Sequence, residues 1–71
     1  MKEIKERQIW KRMDHRSYYS WFVIVCRNLH YAQTQNLGKG RTSHISVTRL
    51  LENKDYKYIR MMPVREFVNL L

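Results

Sequence analysis

The chain has 71 residues, with 14 Lys and Arg against 6 Asp and Glu and a formal net charge of +8. That length allows one small domain, residues 1–71, and leaves no room for a self-contained multidomain enzyme. A hydrophobic share of 44% is too high for a disordered basic tail, and 28% charged residues is too high for a membrane span.

Residues 1–7 contain no apolar run, so no signal peptide is expected there and the chain is expected in the cytoplasm. Residues 2–13 are rich in helix formers, and Glu3 and Glu6 would suit a helix N-terminus. Ile4, Ile9, Trp10 and Met13 fit the helical period poorly, however, and residues 7–13 alternate as a strand would. A strand over 7–13, turned by 14–17 into the next element, is the favoured reading; a helix over 2–13 is the alternative.

Residues 18–27, YYSWFVIVCR, are dense in aromatic and β-branched side chains and read as a strand. Alternation would put Trp21, Val23 and Val25 on one face and Phe22, Ile24 and Cys26 on the other. A strand apolar on both faces lies at the centre of a sheet, or between a core and an interface. Cys26 is the single cysteine, so it forms no intrachain disulfide and reads as a small buried hydrophobe.

Within residues 33–43, Gly38-Lys39-Gly40 marks a loop or hairpin tip. A phosphate-binding loop needs a longer spacing and a following helix. Here a strand is expected instead, because residues 43–51 alternate, with Ile45, Val47 and Arg49 opposite His44, Ser46, Thr48 and Leu50. Residues 52–55 make a polar turn, and 56–62 a further strand. Pro63 suits a first helical position, and Val64, Phe67, Val68 and Leu71 then form a core-facing stripe. Two helical turns are unstable alone, so this helix must dock on the sheet.

Together these elements predict an α+β, mostly β domain. It would be a small curved antiparallel sheet or SH3-like barrel of about four strands, closed by a short C-terminal helix. The similarity to an SH3-like barrel is one of architecture and carries no function. Barrel closure needs the strand at 7–13 and goes with a monomer, the favoured state. A helix at 2–13 would leave one face of 21–26 open and favour a homodimer.

Charge carries the functional signal. Residues 17–51 hold Arg27, Lys39, Arg41 and Arg49 and no acid, and basic residues alternate with aromatics elsewhere in the chain. Lysine and arginine supply sequence-independent affinity for phosphate, and exposed aromatics stack on unpaired bases. The expected function is a small, regulatory, non-catalytic nucleic-acid-binding module. RNA or single strands are favoured over duplex DNA, whose readers generally present a recognition helix. The expected contacts are Lys11, Arg12, Arg16, Arg27, Lys39, Arg41, Arg49 and Arg60, with Tyr18 and Tyr58 as stacking surfaces.

The alternative is a phage-type or mobile-element inhibitor or adaptor that binds an acidic or nucleic-acid-binding host protein, such as a ribonuclease toxin or toxin–antitoxin complex. An exposed face of 21–26 would favour it. His15, His30 and His44 are suited to proton transfer but share no motif spacing, and no Ser-His-Asp or Cys-His pattern accompanies them. Small ribonuclease toxins are similar in size and charge and can cleave RNA without a metal, so cleavage is a minor alternative. The six acids show no metal-site spacing, and no metal, cofactor or membrane partner is expected.

Overall fold

The structure, a computed structural model, describes residues 3–13, 21–38, 40–52 and 54–70. The elements in chain order are β1 (Gln8–Arg12), β2 (Trp21–Arg27), β3 (Tyr31–Asn36), β4 (Thr42–Ser46), α1 (Val47–Glu52), β5 (Tyr56–Met61) and α2 (Val64–Leu70). Among the described residues the strands form one antiparallel sheet in the order β4-β3-β2-β1-β5. The sheet is open, with β4 and β5 as its edges, so the barrel alternative does not describe the fold.

The N-terminal segment is the strand that its alternation suggested, and β2 lies in the middle of the sheet, as two apolar faces require. Val23 and Ile24, adjacent in sequence, are both fully buried on opposite faces. On one face Ile24 packs with Ile4, Trp10, Ala32, Val47 and Leu50. On the other, Val23 packs with Ile9, Met62 and Phe67. The first face is covered by α1, which carries Val47 and Leu50, and the second by α2, which carries Phe67.

Two elements differ from the sequence reading. Residues 31–36 form β3, where a loop was expected to begin at Gln33. Its buried positions are Ala32 and Thr34, too small and too polar to register as an apolar alternation. The expected strand 43–51 stops at Ser46 and continues as α1. Ser46 caps this helix, its Oγ accepting the Arg49 N–H at 3.4 Å, and Val47 and Leu50 fall at i and i+3 on its buried side. The lid for the second face of β2 is therefore α1, which removes the need for barrel closure.

Two side-chain placements also change. The register of β2 against β3 slips between Ile24 and Cys26. Past this bulge Cys26 pairs with Gln33 and Arg27 with Ala32, so Cys26 leaves the Phe22–Ile24 face. It is exposed, and its Sγ donates to Gln33 Oε1 at 3.3 Å. In α2 the expected stripe is narrower than four residues: Phe67 is buried and Leu70 half-buried, but Val64 and Val68 are 58% and 62% exposed. Leu71 lies outside the described residues. The helix begins one residue after Pro63, which was expected at its first position; the Pro63 carbonyl accepts the Phe67 N–H at 3.0 Å, and the preceding Met62 is itself a core residue. Met62 and Phe67 thus fix the roll of α2, and Val64 and Val68 turn outward.

The arm before β1 is tied down by polar groups. Gln8 is buried; its side-chain nitrogen donates to the Glu3 carbonyl at 2.8 Å, and its Oε1 accepts the Trp10 indole N–H at 3.1 Å. Arg7 adopts φ 73°, in the left-handed region, and its main chain bridges two elements. Its N–H donates to the Ile24 carbonyl at 2.9 Å, and its carbonyl accepts the Met62 N–H at 2.6 Å.

Two stability measurements follow. Phe67→Ala should lose about 3–5 kcal/mol in urea denaturation, while Val68→Ala on the same helix should stay within about 0.5 kcal/mol of wild type. Equal losses would place α2 in a different roll. Gln8→Ala should cost at least about 1–3 kcal/mol, because it leaves the Trp10 N–H and the Glu3 carbonyl without their partner.

Candidate nucleic-acid interface

One end of the sheet gathers the C-terminal ends of β1 and β3 and the N-terminal ends of β2, β4 and β5. On the α1 face, this end opens into a groove of about 760 Å³. Phe22, Thr34, Ile45 and Tyr56 line it, together with Arg12 from β1, Arg41 from the β3–β4 turn and Arg49 from α1. No acidic side chain occurs among the described residues that line it.

The registers explain how separated residues meet. Arg12 lies opposite Tyr56 across β1–β5, and Trp10 lies opposite Phe22 across β1–β2. Phe22 and Tyr56 therefore flank β1 from its two sides, and their rings meet edge to face at 6.1 Å and 80°. Arg41 is placed by a tight turn. The Asn36 N–H donates to the Arg41 carbonyl at 2.8 Å, the Gly40 N–H donates to the Asn36 carbonyl at 2.8 Å, and Asn36 Oδ1 accepts the Gly38 N–H at 2.8 Å. Gly40 has φ 71°, a conformation that a side chain would strain. Arg49 reaches the groove because α1 crosses that face of the sheet between β4 and β5.

The expected contacts therefore separate into groups. Arg12, Arg41 and Arg49 converge on the groove. Arg27 sits at the opposite end of β2, where its guanidinium donates to the Ile4 and Asn28 carbonyls at 3.1 Å and pins the N-terminal arm. Lys11 and Arg60 pair with Trp21 and Ile9, on the α2 face. Arg60 donates to the Met61 carbonyl at 3.3 Å. Tyr58 is half-buried, with its ring edge against Trp10 at 5.8 Å, so it serves the core and not the groove. Arg16, Tyr18 and Lys39 lie outside the described residues.

Sequence reasoning missed Phe22 and Tyr56 as groove residues. Tyr56 shares its face with Tyr58, two residues on, and only the β1–β5 register tells which of them lies beside Arg12 at the open end. Among the described residues no cluster of three or more His, Cys, Asp or Glu side chains could hold a metal ion, and no helix is long and apolar enough to cross a membrane. Comparison with protein-family models, with curated proteins and with solved structures returns no match to this chain.

Proposed function

We propose that this chain is a small nucleic-acid-binding module that holds RNA or another single strand in the groove and does not cleave it. The observation that carries the reading is the convergence of Arg12, Arg41 and Arg49, from three different elements, on one groove lined by an aromatic pair. Arginine offers a planar donor fork suited to phosphate oxygens. The half-buried rings of Phe22 and Tyr56 give bases an apolar wall. Neither short helix is built for a major groove: α1 has 6 residues and spends Val47 and Leu50 on the core, and α2 has 7 and spends Phe67. This favours an unpaired strand over a duplex.

Cleavage is the minor alternative, and its chemistry would fall to His44, Tyr31 and Tyr56 beside the groove arginines.

A protein inhibitor or adaptor is the second reading. Val23 and Ile24 are covered on both faces of β2, so the centre of the 21–26 run does not call for a partner, while Trp21 at its start stays partly exposed. The observation in its favour is instead the apolar strip of Val64 and Val68, one turn apart on the outer side of α2.

The salt dependence of binding tests the proposal. With about three to five phosphates neutralised, log affinity for a single-stranded RNA should fall against log salt with a slope of roughly −2 to −4. Arg41→Ala combined with Arg49→Ala should flatten that slope by about 1.4 units and weaken binding at every salt concentration. The RNA should be recovered uncut. Absence of binding to any RNA or DNA at low salt would remove the proposal and promote the protein-partner reading.

A further inference from the structure

The same end of the sheet carries a second basic and aromatic surface, on the face opposite the groove. Trp21 on β2, Lys11 on β1 and Lys57 on β5 stand in one cross-strand row: Lys11 pairs with Trp21 on one side and with Lys57 on the other. Paired residues of neighbouring strands share a face, with strands about 4.8 Å apart. The row lies on the α2 face, two residues along from Val23 and Ile9. Trp21 is 40% exposed, and the Lys11 ammonium stands 5.5 Å from its ring centroid. A cation held over an indole leaves one part of the ring surface charged and another open to solvent.

Burial of a tryptophan this large would have been favourable, and the core closes without it: Ile9, Val23, Met62 and Phe67 are sealed beneath α2 while Trp21 stays outside. The two tryptophans of the chain thus have different surroundings. Trp10 is 4% exposed with its N–H satisfied by Gln8, and Trp21 is partly open beside Lys11, with Lys57 one strand further along the row.

We infer that Trp21 is a stacking platform for one unpaired nucleobase, with Lys11 and Lys57 taking the phosphates beside it. This rests on the nucleic-acid reading above and deepens it by naming a second contact and its ligand chemistry. A ring face accepts any base, so the contact is tolerant of sequence, and it requires a base that is not paired. The row carries positive charge on both lysines, and no acid pairs across it in the β1–β2 and β1–β5 registers. That suits a polyanion. The Lys11 ammonium already occupies part of the ring surface, so a base either slides in beside it or displaces it onto a phosphate.

Tryptophan emission of the full chain reads this contact directly, because Trp10 is enclosed and supplies a constant background. The probe is a thymine single strand of about 12 nucleotides, within the usual site-size range, with tripolyphosphate as an anion that has no base. The strand should quench Trp21 emission and tripolyphosphate should not; Trp21→Phe should abolish the quench and keep binding. By fluorescence anisotropy of a labelled strand, Trp21→Ala should weaken affinity about 5- to 150-fold. Lys57→Gln, an exposed change that leaves the fold intact, should flatten the salt slope by about 0.7. A strand that binds while Trp21 emission, the Trp21→Ala affinity and the Lys57→Gln salt slope all stay at wild-type values overturns the inference and leaves the groove reading standing. Equal quenching by tripolyphosphate also overturns it, since that would reflect movement of Lys11 alone. Binding that survives Arg41→Ala with Arg49→Ala unchanged, yet quenches Trp21, would support this contact and overturn the groove. No binding of the strand at low salt would overturn both.

Discussion

Val23 and Ile24 set the constraint on which the rest of the fold depends. They are neighbours on the middle strand, both completely buried, and they point to opposite faces of the sheet. A sheet with an apolar centre on both sides is stable only if each side is covered. The chain meets this with two helices of 6 and 7 residues, α1 on one face and α2 on the other. Helices so short do not persist alone in water. They are helical because the sheet receives Leu50 and Phe67, and the sheet is dry because they sit there. Sheet and lids are one cooperative unit, and the buried Gln8, by linking Trp10 to the Glu3 carbonyl, fastens the N-terminal arm into it.

Short lids also leave something uncovered. Where β1 ends and β2 and β5 begin, Phe22 and Tyr56 are half-buried and Trp21 is partly exposed. Lys11, Arg12 and Lys57 alternate with these rings, because adjacent residues of a strand serve opposite faces. Basic and aromatic groups therefore appear on both sides of one sheet end. The candidate interface is a by-product of economy in the core, in that the aromatics the lids cannot reach are the ones available to a ligand.

Much of this was legible from local pattern. β2, β5 and α2 announced themselves through alternation, aromatic density or Pro63, the alternation of 7–13 favoured a strand for β1 with a helix over 2–13 left open, and the central place of β2 followed from its two apolar faces. What stayed hidden depends on tertiary context. β3 contributes Ala32 and Thr34 to the interior, and neither is large enough to signal a strand. In α1 the alternation of residues 43–51 competed with a helical spacing of Val47 and Leu50, and a serine cap at Ser46 decided it. The bulge past Ile24 reversed Cys26 and Arg27, which no count of alternate residues foretells. The groove was legible only as a set of basic residues. Which of them share the groove depends on the β1 registers, the β3–β4 turn and the path of α1, and these separate Arg12, Arg41 and Arg49 from the structural Arg27 and from Lys11.

An open sheet has two edges, and each exposes unpaired main-chain donors and acceptors to any strand of matching length. In this chain the β4 edge is flanked by Arg41 and Arg49, and the β5 edge carries Lys57 and Arg60. Two copies approaching edge to edge bring like charges together, at a net charge of +8 each. Cationic side chains at both edges thereby oppose edge-to-edge pairing of copies, the part a gatekeeper residue plays against β-aggregation.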